Sequence, residues 1–306
     1  MELRVENLNI RAVLSDGNKD IVSALSFAVK SGEPLAIVGE SGCGKTMTAL
    51  SMFRLLPDNC RAEGSIVLNG TPLLTLSERK INKLRGGRMV MIPQSGADFL
   101  NPSLKIRTQL YESLKKNKIK NKTVREAVAP KLLADVGIEA PDEVLNKYPF
   151  QLSGGQAQRA VLALSLCGAP ELVVADEPTK GIDDKTAGVF LDKLETLFKN
   201  ACVIVITHNI AVAERCEKLL VMYDGMLMEY GYTKEILAEP NHPYTKSLID
   251  ALPENGVRGS IAEIDVGSDF RGCSFYKRCP VSSERCKLEK PPITGKNGTL
   301  RRCFYA

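Results

Sequence analysis

The stretch GESGCGKT, residues 39–46, constrains this chain more than any other. It follows a short apolar run, PLAIV, and precedes TMTALSMFRLL, a run of good helix formers, so it reads as a loop between a strand and a helix. Gly39, Gly44, Lys45 and Thr46 hold the fixed positions of the phosphate-loop pattern G-x-x-x-x-G-K-T, with Glu40, Ser41, Gly42 and Cys43 between them. Glycines let the backbone curl so that successive N–H groups point inward, and the helix that follows adds its positive end, which together make a cradle for phosphate oxygens. Lys45 then belongs on the β- and γ-phosphates and the Thr46 hydroxyl on Mg²⁺. The competing reading, a Gly/Ser-rich turn that binds nothing, leaves a buried lysine with no anion to pair with. Cys43 reads either as a small spacer or, beside a helix N-terminus, as a thiol of lowered pKa and raised reactivity.

Two later segments supply the remaining chemistry of such a loop. ELVVADEPT, residues 171–179, places Leu172 to Ala175 directly before Asp176 and Glu177, a buried strand ending in two carboxylates. Asp176 belongs near Mg²⁺, and Glu177 can orient or deprotonate an attacking water. The apolar run ACVIVITH delivers His208 at its end, where ligands collect in doubly wound α/β sheets and where the γ-phosphate is expected. At 306 residues the chain suits one main α/β domain plus a smaller extension, and 44% apolar residues are enough for a sizeable core. The net charge of +5 is too mild to imply nucleic acid. MELRVENLNI carries charges and no apolar stretch, so no secretory signal is expected and the chain is placed in the cytosol. No apolar run approaches the ~18 residues of a membrane span, so any membrane role requires a partner subunit.

One segment separates the phosphate-loop classes. LSGGQAQRA, residues 152–160, resembles the signature motif of ATP-binding cassette (ABC) ATPases. Ser153, Gly154, Gly155 and Gln156 open a helix and present a second anion-binding end. The resemblance implies that this end completes the ATP site of a second ABC subunit, in a homo- or heterodimer of two cassettes closing around two nucleotides. It also assigns Gln94, in MIPQSG after the apolar strand RMVMI, as the glutamine that senses Mg²⁺ and links chemistry to motion, and Asp183, in KGIDD, as an aspartate at the dimer interface. Lys180 and Gly181 depart from the family pattern just before it. So does LNIRAVLS, which lacks the usual adenine-stacking aromatic and leaves Arg11 as the candidate to lie over the base.

Beyond the cassette, NHPYTKSLIDALP, residues 241–253, resembles the extension of peptide and nickel importer ATPases, with His242 ordering a turn before a helix. Cys273, Cys279, Cys286 and Cys303 follow with the spacing C-x5-C-x6-C-x16-C. In a cytosolic chain such a cluster favours metal over disulfides. The intervals lack the short C-x2-C pairs of zinc fingers. They resemble the C-terminal pattern of oligopeptide and dipeptide importer ATPases, which implies a [4Fe–4S] cluster, with zinc as the alternative. Cys167, Cys202 and Cys216 sit in apolar surroundings and read as core. All ATP-site motifs precede residue 210, so Cys279→Ser is expected to disorder the tail yet leave isolated nucleotide binding largely unchanged.

The expected architecture is an ABC-type nucleotide-binding domain over residues 1–240, with a phosphate-loop core sheet, an antiparallel β layer and a helical subdomain at about 98–165. Residues 241–306 form a Cys-rich extension. LLVMYDGMLMEYG reads as a hairpin around Asp224-Gly225. The resemblance implies a peripheral subunit on the cytoplasmic membrane face. It powers an importer of peptides, nickel or metal chelates with two transmembrane permeases and, indirectly, an extracytoplasmic binding protein. The other class, a soluble ABC ATPase of DNA repair or translation, normally carries tandem cassettes or a coiled-coil insertion, and neither is present.

Overall fold

Period-two burial makes the first two strands long. β1 (Glu2–Leu14) buries Leu3, Val5, Leu8 and Ile10, and β2 (Gly17–Lys30) buries Val22, Leu25, Phe27 and Val29. β3 (Leu35–Val38) is buried throughout and leads into α1 (Lys45–Phe53). β4 (Cys60–Leu68), β5 (Thr71–Pro72), α2 (Glu78–Leu84) and β6 (Met89–Ile92) follow. The next stretch is helical: α3 (Gly96–Phe99), α4 (Ile106–Lys116), α5 (Lys122–Asp135), α6 (Pro141–Asn146) and α7 (Gly154–Ser165). β7 (Leu172–Asp176), α8 (Asp184–Leu197), β8 (Cys202–Thr207), α9 (Ile210–Ala213), β9 (Lys218–Tyr223) and β10 (Met226–Tyr232) come next. The chain ends in α10 (Thr233–Ala238), α11 (Pro243–Asp250), α12 (Glu284–Leu288), β11 (Thr294–Lys296) and β12 (Thr299–Arg301). This computed structural model describes residues 1–15, 17–94, 96–180, 184–251, 271–296 and 298–305.

Two units divide the chain, and β8 runs from one into the other. The first comprises Met1–Glu2, Lys30–Gly32 and Thr75–Ile204. Here β6 pairs with β7 in parallel, Met89 opposite Leu172 and Ile92 opposite Ala175, so both strands deliver their C-terminal ends to one edge. α4 to α7 pack around Leu110, Leu114, Leu133 and Val161.

The second unit comprises Leu3–Val29, Glu33–Leu74 and Val205–Ala306. It holds an antiparallel sheet of order β2-β1-β4-β5. It also holds the strand run β11-β12-β10-β9-β3, in which β3 and β9 are parallel and the rest antiparallel. Asp224 (φ 45°) and Gly225 (φ 72°) form the two-residue turn between β9 and β10, as the Asp-Gly dipeptide predicts. The end of the tail continues this sheet: Glu229 and Tyr230 of β10 face Arg301 and Leu300 of β12.

Candidate nucleotide site

The phosphate loop lies in the second unit, between β3 and α1. Gly39 is packed so closely that a Cβ there would collide with the Met222 carbonyl oxygen. Gly44, at φ 97°, would bring a Cβ to 2.8 Å from the Ile21 carbonyl oxygen. Neither position tolerates a side chain, and the loop is thereby fixed against β2 and β9. Lys45 is buried, and its Nζ donates to the carbonyls of Gly39 at 2.7 Å and Glu40 at 2.8 Å, curling the loop around the ammonium. Ser41, Gly42 and Thr46 face solvent. Cys43 departs from the reactive-thiol reading: it is 5% exposed, and burial raises its thiol pKa, outweighing the lowering by nearby Lys45. It is a packing residue of the loop. His208, also in this unit, is exposed one residue beyond the buried Thr207, and Asn209 caps α9 by accepting from the Ala211 N–H at 2.9 Å. Arg11 is held by Asp20, Nε to Oδ1 at 2.8 Å.

The first unit carries the other predicted residues. Gln94 is exposed just past β6. Ser153 caps α7 with a reciprocal capping box: its Oγ accepts from the Gln156 N–H and Gln156 Oε1 accepts from the Ser153 N–H, both at 3.2 Å. Gly154 leaves the amide end of this helix open to solvent. Asp176 is buried as the last residue of β7. Glu177 follows at φ 47°, a left-handed conformation that a non-glycine residue adopts at a cost of about 1–3 kcal/mol and that concentrates at functional sites. Asp183 lies outside the described residues.

Sequence reading missed Gln158. It is buried on α7, two residues past the signature, where its Oε1 accepts from the Gly96 N–H at 3.0 Å and its Nε2 donates to the Pro178 carbonyl at 2.7 Å. One amide thus ties the segment after Gln94 to the segment after Glu177. The second glutamine of GGQAQ was visible in the sequence, but its two backbone partners come from distant segments.

The extension also touches the phosphate loop. Glu229, fully buried on β10, accepts from the N–H groups of Asn241 and His242 and so anchors the start of α11. His242 Nδ1 then accepts from the Tyr244 N–H at 3.0 Å, capping the helix, and burial lowers the imidazole pKa to about 4. Tyr244 accepts the Glu40 N–H at 3.1 Å through its hydroxyl. Arg278, from the cysteine segment, makes two further bonds to Glu40, Nη1–Oε2 at 2.8 Å and Nη2–Oε1 at 2.7 Å.

Of the four tail cysteines, Cys286 is buried and Cys273, Cys279 and Cys303 are partly buried. Cys273 donates its N–H to the Cys286 carbonyl at 2.7 Å. Burial pushes the Cys273 thiol up to about 11, and Cys286, Cys279 and Cys303 push it the same way, so the four thiols share one neighbourhood. Among the described residues, no group of three or more His, Cys, Asp or Glu side chains is gathered tightly enough to hold a metal ion. No helix among them is long and apolar enough to cross a membrane.

A phosphate loop, a capped LSGGQ helix and an Asp-Glu pair ending a buried strand define an ABC-type ATPase. The ABC transporter family model matches residues 22–180, and the oligopeptide/dipeptide transporter C-terminal region matches residues 228–286. The oligopeptide transport ATP-binding protein OppD of Escherichia coli K12 is 36% identical, with 99% of this chain and 92% of the relative covered. The dipeptide transport ATP-binding protein DppD of the same organism is 35% identical over 99% and 96%. The dimeric structure of the bacterial ABC transporter cassette MJ0796 shares the fold, with TM-score 0.68 and 24% identity over 76% of this chain and 98% of that one. This chain belongs to the ABC transporter ATPases, in the oligopeptide/dipeptide group.

Proposed function

We propose that this chain hydrolyses ATP to drive peptide import, working as one of two cassettes beneath a pair of membrane permeases. The observation that carries the reading is the order of the two matches, an ABC segment followed by an oligopeptide/dipeptide transporter C-terminal region. Residues 1–240 are the cassette and residues from 241 onward the extension. The exposed amide end of α7 at Ser153 and Gly154 supports a role for the signature in a partner's ATP site, and Asp183 is assigned to that interface. An extracytoplasmic binding protein delivers the cargo, and the chain sits peripherally on the cytoplasmic membrane face. The relatives described above are named as oligopeptide and dipeptide transport proteins, which favours peptide over nickel or a metal chelate.

In hydrolysis, Lys45 moves from the Gly39 and Glu40 carbonyls to the β- and γ-phosphates. Glu177 orients or deprotonates the attacking water, His208 lies at the γ-phosphate, and Gln94 senses Mg²⁺ and links chemistry to motion. The Thr46 hydroxyl, the Gln94 amide oxygen and the Asp176 carboxylate are hard oxygen donors that suit Mg²⁺. When bound, that ion would neutralise the negative charge of the phosphates. Reconstitution with the permeases in liposomes tests the reading: labelled peptide should accumulate only with ATP and not with Lys45→Ala. Uptake that ignores ATP would reject it.

Cys273, Cys279, Cys286 and Cys303 are assigned to a [4Fe–4S] cluster on the resemblance of their spacing, with zinc as the alternative. Arg302 supports an anionic occupant: it is 8% exposed, its acceptors among the described residues are the carbonyls of Leu227 and Pro291, and Cys273 is its electrostatic neighbour. A buried cation calls for a counter-charge, which thiolates provide. The cluster's contribution is structural, fixing a segment with few apolar anchors. Anaerobically purified protein should be brown with about four irons per chain, and zinc in its place would refute the assignment.

A further inference from the structure

The contact between Arg278 and Glu40 joins the cysteine-bearing tail to the second residue of the phosphate loop, across 238 positions of sequence. Its geometry is that of a built clamp. The guanidinium makes a two-pronged pair with the carboxylate at 2.7 and 2.8 Å and also donates to the Tyr223 hydroxyl at 3.3 Å. It lies over the rings of Tyr223 and Phe275, 5.5 and 5.6 Å from their centroids. Its side chain is 7% exposed, against 30% for Glu40, so this pair is largely removed from water. Tyr244 holds the other handle of the same residue, its backbone N–H. Tyr223, Tyr244 and Phe275 pack against one another with centroids 4.7 to 5.4 Å apart, which fixes the aromatic bed beneath the guanidinium.

The charge of this pair bears on what the loop does. A phosphate loop gathers N–H groups and a lysine to bind an anion, and a bare carboxylate within it opposes that task. Lys45 contacts the Glu40 backbone carbonyl and not its carboxylate, so the lysine leaves that charge to Arg278.

We infer that Arg278 is a positioning residue of the ATP site: from the tail, it neutralises and fixes Glu40, so the extension sets how tightly the phosphate loop holds ATP. This rests on the assignment of the loop as the ATP site. Arg278 touches no reacting atom; it acts through Glu40.

The test is equilibrium binding of a fluorescent ATP analogue to the full chain, with Mg²⁺ present, alongside steady-state ATPase kinetics. Arg278→Ala leaves the loop with one uncompensated negative charge, and ATP affinity should fall about tenfold, with KM rising accordingly and kcat changing less than about twofold. Arg278→Ala combined with Glu40→Gln restores local neutrality and should recover most of that affinity. Arg278→Lys keeps the charge but loses the two-pronged geometry, and should fall between wild type and Arg278→Ala. A purely structural role for Arg278 predicts the reverse, a double variant no better than Arg278→Ala. If Arg278→Ala does not fold, the lysine variant and the double variant carry the comparison. Unchanged affinity in folded Arg278→Ala, or no recovery in the double variant, overturns the inference. Failure of the wild-type chain to bind the analogue would instead reject the ATP-site assignment itself.

Discussion

Replacing Gln158 by leucine removes both arms of its bridge while nearly preserving side-chain volume, so the change isolates hydrogen bonding from cavity formation. The Gly96 N–H and the Pro178 carbonyl both lose a buried partner. Each such loss costs about 1–3 kcal/mol, giving about 2–6 kcal/mol against a typical domain stability of about 5–15 kcal/mol. The chain contains no tryptophan, so urea unfolding is best followed by far-ultraviolet circular dichroism. Catalysis should suffer separately from stability. Pro178 is the residue after Glu177, whose left-handed backbone at φ 47° persists because its surroundings hold it there. With the Pro178 carbonyl released, Glu177 can relax, and kcat should fall about tenfold or more while KM for ATP stays within about twofold. Gln158→Glu retains an acceptor for Gly96 but no donor for Pro178, and should lie between. A Gln158→Leu protein within about 0.5 kcal/mol of wild type and with normal kcat would refute the bridge.

Cys43 should resist maleimide in the native chain at pH 7, with or without ATP, and react once urea exposes it, as read by peptide mass spectrometry; native labelling would contradict its burial. Acid should weaken the fold through His242. Its folded pKa of about 4 lies below the ordinary 6.5, so its contribution is complete above pH 6.5 and is lost as pH falls towards 4. The gap corresponds to about 3 kcal/mol at about 1.4 kcal/mol per pH unit. His242→Asn, which can still cap α11, should flatten the rise of stability with pH between 4.5 and 6.5, and an unchanged slope would refute the assignment.

Local chemistry was the legible part of this sequence. GESGCGKT, the run before Asp176, the helix start at Ser153 and the Asp224-Gly225 turn each carry their geometry within a few residues, and the structure places them as the residue types demand. Long-range pairings were not legible. Nothing near Arg278 announces that Glu40 is its partner, nothing near Gln158 names Gly96 and Pro178, and the three-residue strands β11 and β12 are too short to give a period. Which of the two readings of Cys43 holds was not legible for a related reason. A helix N-terminus lowers a thiol pKa, but its burial depends on how Gly39 and Lys45 pack around it, which residue spacing does not encode.

Glu177→Gln gives the most direct test of the central claim that this chain is an ATPase whose two-cassette closure does the work. The variant keeps the phosphate loop and Asp176 but removes the carboxylate proposed to act on water. With ATP and Mg²⁺ it should therefore stop hydrolysing and accumulate as a closed dimer of twice the 33.4 kDa chain mass with ATP retained, as read by light scattering and nucleotide extraction. A variant that stays monomeric with ATP and hydrolyses it at the wild-type rate would contradict the account.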